Sequence, residues 1–412
     1  MNRGFYTILA AQFFSALADN ALLFAAIALL AELYAPEWQT PVLQQFFVFS
    51  YIVLAPFVGP FADALPKGRV MFISNAIKLA GCLAMLLGLH PLYAYGIVGI
   101  GAAAYSPAKY GILTEYLPPE KLVLANGWME GLTVAAIILG AILGGILVGI
   151  KFSGMTIIFP SGTRGVIQSA ASLAVGIILL FYLIAAIFNL YIPNVPLDHK
   201  LPKKNPLYVL HDFWHCFRLL WRDPLGQVSL AVTTLFWGAG ATLRLIVITW
   251  SAAALNFGLR RATFLTAVVA AGIAIGSVLA AKTVVLEKAV RVLPLGVAMG
   301  VIVIAMIWVH DWRAAVVLLT LAGTFAGYFV VPMNALLQHR GHLLMGAGHS
   351  IAVQNFNENL SILALLGVYA LMIRADFSIN SIIIIFGSLI SLTMLYLYRK
   401  HRHDQDNVEV KM

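Results

Sequence analysis

The chain has 412 residues, of which 61% are hydrophobic and 10% are charged, and its formal net charge is +9. This composition excludes a soluble globular fold, which cannot remove so much apolar surface from water. Apolar runs of about 20 residues follow one another, which indicates membrane-spanning helices and not the short alternating strands of a β-barrel. The two cysteines, Cys82 and Cys216, lie in an apolar run and a basic loop. Disulfide and redox chemistry are therefore not expected. We also expect no metal and no cofactor.

We predict an all-α polytopic membrane protein with twelve spans. Their approximate ranges are 5–31, 41–64, 70–90, 92–114, 121–150, 167–191, 225–254, 262–286, 292–309, 312–338, 344–373 and 377–398. An even number of spans places both termini on one side of the membrane. Seventeen lysine and arginine residues fall in loops on that side and six in loops on the other. The positive-inside rule therefore predicts cytoplasmic termini.

The first span carries an acid and an amide, Asp19 and Asn20, within the apolar stretch 14–24. A charged residue at the centre of a spanning helix costs about 2.5–3.5 kcal/mol on insertion scales. Such residues usually face a partner or a water-filled path. Asp19 is therefore a candidate functional residue, with Asn20 beside it.

The longest polar break separates spans six and seven, and its first part contains four prolines and three lysines. Within it, residues 208–222 predict an amphipathic helix on the inner membrane surface, with its cations towards anionic headgroups. His211 and His215 are four residues apart, but no third ligand accompanies them, so a solvated face is favoured over a metal site. The lysines and prolines in the first part of this break are Lys200, Lys203, Lys204, Pro193, Pro196, Pro202 and Pro206.

The two halves repeat each other. Asn126, Glu130 and Thr133 of span five share their spacing with Gln354, Glu358 and Ser361 of span eleven. Two parallel six-span repeats are the expected layout of a major facilitator transporter, with a substrate site near the midplane between them. The predicted organisation is an N-terminal six-helix bundle over 1–192, a cytoplasmic linker over 193–224, a C-terminal six-helix bundle over 225–400 and a polar cytoplasmic tail over 401–412.

Six charged residues lie inside spans, three acidic and three basic, which suggests pairing around a polar cavity. They are Asp19, Lys78, Lys109, Glu130, Arg244 and Glu358. Lys78 and Lys109 lie nearer the cytoplasmic ends of their spans, where a long side chain can snorkel to the interface. Aligning the repeats brings Arg244 of span seven to a depth similar to that of Asp19. The pair is either a salt bridge that latches the halves or a clamp for a zwitterion, in which arginine takes a phosphate.

Further polar residues indicate the lining of a cavity. Glu130 and Glu358 either relay protons or are hydrogen-bonded structural carboxylates near Asn126 and Asn357. Amides crowd span eleven, so Gln354 and Asn357 are candidate lining residues. The remaining candidates for substrate binding are Tyr105 and Lys109, which share a face of span four, and Trp237, which either packs over a headgroup or is a core aromatic residue.

The loop at 59–69 resembles the major facilitator loop between spans two and three, a Gly-x-x-x-Asp followed by basic residues. Asp63 is predicted to meet a helix N-terminus of the same half. Lys67 and Arg69 add charge on the inner side. In span five, Gly140 and Gly144 predict close helix packing.

Several longer strings resemble those of a narrower family, the bacterial lysophospholipid transporters. They are AQFFSALADNALLFA, YIVLAPFVGPFAD with KGRVM, GAAAYSPAKYGIL, ANGWME, LFWGAGATLR, VVPMNALLQHRG and IAVQNFNEN. The resemblance covers both halves, whereas helix 6, the central linker and helix 12 resemble the family little.

The resemblance implies a flippase that moves lysophosphatidylethanolamine and related lysophospholipids from the outer to the inner leaflet of a bacterial inner membrane. A cytoplasmic acyltransferase that depends on acyl carrier protein would then reacylate the lipid, and here we expect it to be a separate chain. We expect a monomer and no nucleic-acid partner.

Two other functions remain open on the sequence alone. The first is a proton-coupled exporter of drugs or sugars in the same superfamily. The second, from a different class, is a membrane acyltransferase. The only His-x-x-x-x-Asp spacing in the chain, the pattern considered for an acyltransferase, runs from His401 to Asp406 in the charged tail. No Ser-His-Asp arrangement or P-loop supports an enzyme.

Overall fold

A computed structural model describes residues 3–36, 39–150, 155–158, 164–167, 169–195 and 206–409. These residues form thirteen α-helices and one β-hairpin. The helices are α1 Arg3–Glu32, α2 Gln39–Ala64, α3 Lys67–Leu86, α4 Pro91–Tyr116, α5 Leu122–Gly149, α6 Ala170–Leu190, α7 Pro206–Arg222, α8 Pro224–Leu255, α9 Leu259–Thr283, α10 Leu293–Ala305, α11 Trp312–Met345, α12 Ala347–Arg374 and α13 Ile379–Glu409. The strands β1 Met155–Ile158 and β2 Arg164–Ile167 pair antiparallel.

Eleven of the described helices are long and apolar enough to cross a membrane. α10 belongs to them because short 3₁₀ turns extend it to Leu286–Trp308. α4 spans 26 residues and is as long as the others, but it is less apolar. The all-helical polytopic prediction is confirmed. The hairpin is new, since the sequence predicted only a loop between spans five and six.

The described chain forms two compact units. Unit 1 contains residues 1–115, 135–213 and 346–352, and unit 2 contains residues 116–134, 214–345 and 353–412. The first part of α5 therefore belongs to unit 2, and the first turns of α12 belong to unit 1. The sequence-based boundaries at 192 and 225 do not anticipate these two segments.

The core of unit 1 contains α1, α3, α4 and α6 packed mainly through small and aliphatic residues. Its members are Ala18, Ala21, Leu22, Ala25, Cys82, Val98, Ala174, Ile178 and Tyr182. Close packing by the glycines of α5 is confirmed. A Cβ on Gly140 would lie 2.7 Å from the carbonyl oxygen of Leu17, and one on Gly144 would lie 2.8 Å from that of Ala21.

The core of unit 2 surrounds Trp250, which is 1% exposed, with aliphatic side chains of α9, α11 and α13. Its α9 and α11 approach closely, because glycines lie four residues apart on both helices. A Cβ on any of these glycines would contact the carbonyl oxygen of a residue on the facing helix. They are Gly272 and Gly276 on α9 and Gly323 and Gly327 on α11.

The predicted amphipathic helix is present as α7. Its polar face, with His215 and Arg218, is exposed as expected. Part of its apolar face packs on α12, where the rings of Trp214 and Phe217 meet that of Phe356 at 6.0 and 6.2 Å. α7 is therefore attached to a spanning helix. The linker residues 196–205, which include Lys200, Lys203 and Lys204, and the last three residues of the tail lie outside the described ranges.

Candidate functional site

Asp19 lies in the middle of α1 and is paired within unit 1. Its Oδ2 lies 2.8 Å from the ammonium of Lys78, and its Oδ1 accepts a hydrogen bond of 2.6 Å from the hydroxyl of Tyr182. The Asp19 side chain keeps 21% of its surface exposed. The carboxylate is thus held through both oxygens while one side of it stays open.

The sequence left two interpretations open for Lys78, namely snorkelling to the interface or pairing with another intramembrane charge. The residue is 1% exposed and is paired with Asp19. The ammonium also donates to the Ser15 hydroxyl at 3.0 Å and lies over the rings of Tyr105 and Tyr182 at 4.9 and 5.5 Å. The positive charge of Lys78 is thus balanced by the negative charge of Asp19. Such pairing is needed because an unpaired buried ion is energetically costly.

The other candidates in unit 1 are placed around this cluster in different ways. Asn20 donates its amide to the carbonyl of Ala16 at 2.8 Å, so that part of its polarity serves its own helix. Tyr105 is buried against Lys78. Lys109 is 9% exposed, and its ammonium lies 4.6 Å from the centre of the Tyr110 ring. Lys109 is therefore buried, although its position near the end of the span also allowed snorkelling.

A second polar cluster lies in unit 2, on α5, α11 and α12. Asn334 donates to Glu130 at 3.3 Å. Gln354 donates from Nε2 to Asn334 at 3.0 Å and to Glu358 at 2.7 Å. Two amides therefore connect two buried carboxylates. Hydrogen-bonded carboxylates were one of the two interpretations of the sequence, and Asn334 and Gln354 are among the partners of these two acids.

Asn126 and Gln338 extend this cluster on α5 and α11. The two amides exchange reciprocal hydrogen bonds, from Asn126 to Gln338 at 2.9 Å and from Gln338 to Asn126 at 2.8 Å. Both residues are buried. The pair ties the first part of α5 to unit 2.

Asn357 is directed elsewhere. Its amide nitrogen donates to the carbonyl of Val353 at 2.7 Å, and its oxygen accepts from the indole of Trp221 at 3.3 Å. Its side chain therefore takes part in attaching α7. Trp237 is half-buried and packs edge-on against Phe236 at 5.4 Å, and Arg244 is exposed on α8.

The loop after α2 also differs from its prediction. The carboxylate of Asp63 accepts from the backbone N–H groups of Gly348 at 2.8 Å and His349 at 3.0 Å. It does meet a helix N-terminus, but this is the first turn of α12 and not a helix of the same half. Lys67 is buried between Asp63 at 2.8 Å and Glu115 at 2.9 Å, whereas Arg69 is exposed.

Solved structures share this fold. The human organic anion transporter MFSD10 (TETRAN) matches with a TM-score of 0.71 at 15% identity, covering 97% of this chain and 100% of that one. The fucose:proton symporter FucP of E. coli matches with a TM-score of 0.73 at 13% identity, covering 96% of this chain and 98% of that one. The profile described as Major Facilitator Superfamily matches residues 8–365. The fold and the profile define a major facilitator transporter.

Relatives with higher sequence identity identify the family within this superfamily. The "Lysophospholipid transporter LplT" of Yersinia pestis (strain Pestoides F) is 45% identical over 375 residues, which cover 91% of this chain and 88% of the relative. The protein of the same name from Yersinia pseudotuberculosis serotype O:3 (strain YPIII) shows the same identity and coverage. The chain belongs to the lysophospholipid transporter family of the major facilitator superfamily. These relatives confirm a multi-pass transporter and not an enzyme.

Proposed function

We propose that the protein moves lysophosphatidylethanolamine and related lysophospholipids from the outer to the inner leaflet of a bacterial inner membrane. Relatives 45% identical over most of the chain carry the name lysophospholipid transporter, which supports the substrate class. The observation that carries the proposal is Asp19, a partly exposed carboxylate within an apolar spanning helix. Such a group suits the cationic end of a lipid headgroup.

The physical properties of the substrate favour a path for the headgroup alone. Each buried CH₂ contributes about 0.8 kcal/mol, so a sixteen-carbon chain represents about 13 kcal/mol of membrane anchoring. Withdrawing such a lipid into water is prohibitive. We propose that the acyl chain stays in contact with lipid, that the headgroup reaches the protein laterally, and that alternating access moves it across.

The polar residues of both units have roles in this proposal. Asp19 accepts the headgroup ammonium, and Asn20, Tyr105 and Lys109 of the same unit are further candidates for contact with the headgroup. Arg244 remains the sequence-based candidate for the phosphate, because its guanidinium suits that anion. The remaining sequence-based candidates for substrate binding belong to unit 2 and are Glu130, Trp237, Gln354, Asn357 and Glu358.

The direction of net lipid transport would be set by a second reaction. A zwitterionic headgroup carries little net charge, so the membrane potential does little work on it. Reacylation by a cytoplasmic acyltransferase that depends on acyl carrier protein would remove the product. We place the termini and the tail 401–412 in the cytoplasm and propose a monomer, with six-helix bundles over 1–192 and 225–400 around the linker 193–224.

Transport of labelled lysophosphatidylethanolamine into the inner leaflet of proteoliposomes tests the proposal. We expect Asp19→Asn to abolish most of the transport and Glu32→Gln, an exposed acid at the end of the same helix, to leave it unchanged. Equal rates for Asp19→Asn and the parent would overturn the role of Asp19. Transport that requires a proton gradient and ignores lysolipid would instead favour the exporter.

A further inference from the structure

Lys78 is a buried cation that the proposed function has not yet used. It comes from α3, 59 positions along the chain from Asp19, and is 1% exposed. Its ammonium has one carboxylate and one hydroxyl within hydrogen-bond distance, those of Asp19 and Ser15. Beyond them it faces the rings of Tyr105 and Tyr182. An ammonium in such surroundings needs a negative partner, because an unpaired buried charge is costly.

Of the two partners in this ion pair, Asp19 is the more exposed. Asp19 keeps 21% of its side-chain surface exposed, whereas Lys78 keeps 1%. A ligand that approaches this cluster therefore reaches the carboxylate first and finds the ammonium directly behind it. The Tyr182 hydroxyl holds the other carboxylate oxygen, so Asp19 stays anchored when the bond to Lys78 lengthens.

A zwitterion can join such a pair without leaving any charge unbalanced. When its ammonium approaches Asp19, that carboxylate is shared between two cations, and the attraction to Lys78 weakens. An anion on the same ligand can then approach Lys78, which presents a compact point charge suited to phosphate. Cation and anion alternate around the resulting group of four charges.

We propose that Lys78 is the phosphate ligand of the headgroup site, so that a zwitterionic lysophospholipid inserts into the Asp19–Lys78 ion pair. This inference rests on the proposed function, because it takes the substrate to be a lysophospholipid. It places both charged partners of the headgroup in unit 1. Arg244, which is exposed in unit 2, is then not needed for the first capture of the phosphate.

Binding of two probes to the purified full-length protein tests this role. One probe is lysophosphatidylethanolamine, and the other is a monoacyl amine of the same chain length without a phosphate. We expect the parent to prefer the phosphate-bearing probe by about tenfold or more. Lys78→Met should abolish this preference by weakening only the phosphate-bearing probe, whereas Lys78→Arg should keep the preference within about threefold of the parent.

Asp19→Asn is the matched variant, since it removes the other half of the pair. It should weaken both probes and keep the preference for phosphate. If Lys78→Met leaves Asp19 unpaired and the protein fails to fold, the double variant Asp19→Asn with Lys78→Met restores neutrality, and it should fold and show no preference. Its preference is then compared with that of Asp19→Asn alone.

The outcomes separate the two hypotheses. If Lys78→Met weakens both probes equally, Lys78 only positions Asp19, and its assignment as the phosphate ligand is wrong. A retained preference in Lys78→Met, or in the double variant, overturns it as well and points to another cation such as Arg244. If the parent binds neither probe, the proposed function itself fails.

Discussion

The carboxylate of Asp63 binds both the backbone and the ring of His349. It accepts from the His349 N–H at 3.0 Å and lies 2.6 Å from the ring Nδ1. With the additional bond from the N–H of Gly348, one side chain at the end of α2 caps the first turn of α12. The positive end of a helix dipole favours such an anion. Since this turn clusters with unit 1, Asp63 explains why the start of α12 belongs there.

Asp63→Asn should destabilise the protein by about 3–5 kcal/mol, because it removes one member of a buried charged network. Lys67 would lose its anion at 2.8 Å, and the cap would lose its charge. Thermal unfolding in detergent measures the effect. The control is Arg69→Gln in the first turn of α3, which is exposed and should change stability by less than about 0.5 kcal/mol. Equal stability of the two variants would contradict the cap.

Adjacent glycines of α5 provide a test of helix packing. A Cβ on Gly144 would lie 2.8 Å from the carbonyl oxygen of Ala21, whereas one on Gly145 would meet nothing within 4 Å. Gly144→Ala should therefore cost about 1–3 kcal/mol through overpacking. Gly145→Ala should be neutral or stabilising by up to about 1 kcal/mol, because alanine favours helix. Thermal unfolding of both variants decides the matter, and a similar loss in both would show that α1 and α5 do not pack closely.

The sequence was sufficient to predict the membrane-spanning helices. It was insufficient to predict which side chains contact each other between helices. The intramembrane acid Asp19 stood out because of its cost, and the spacing of Gly140 and Gly144 indicated a close helix contact. The cation at Asp19 was missed because a lysine near a helix end also fits snorkelling. Whether Lys78 points inwards depends on how α3 is rotated against α1, and spacing within one helix does not determine that rotation.

The predictions drawn from the similarity of the two sequence halves were partly right and partly wrong. It drew attention to Glu130 and Glu358, which do lie in one polar cluster. It also suggested two separate halves, so Asp63 was assigned to a helix of its own half. The capping of α12 depends on a contact between residues 285 positions apart, which no local pattern reveals.

The reciprocal amide pair should behave as a coupled unit. Asn126→Leu or Gln338→Leu alone leaves one buried amide without its partner, at a cost of about 1–3 kcal/mol. The double variant replaces both amides and should cost less than the sum of the single variants. A double-mutant cycle of thermal stabilities measures the coupling, which we expect to be about 0.5–3 kcal/mol. Additive losses would show that the two amides act independently.

The environment of Asp223 predicts that the stability of the folded protein depends on pH. It precedes α8, where its carboxylate accepts from the N–H of Gly226 at 2.8 Å and pairs with Arg340 through two hydrogen bonds. Burial opposes ionisation, but the hydrogen bonds to Arg340 and Gly226 outweigh it, and the pKa of Asp223 is lowered from its ordinary value. A carboxyl whose pKa is lower in the folded state stabilises the protein above its unfolded pKa, which is about 3.9, and loses that contribution as the pH falls through the folded value.

Asp223→Asn should therefore lower the unfolding temperature at pH 7 and change it progressively less as the pH falls below about 4. The variant keeps the shape of the cap and removes its charge, so the difference from the parent isolates the ionised form. Asp376→Asn, at an exposed acid beyond the end of α12, is the control and should show no comparable dependence. Thermal unfolding between about pH 3 and pH 7 measures all three proteins. A constant difference between the parent and Asp223→Asn across this range would show that the cap stabilises α8 without its charge.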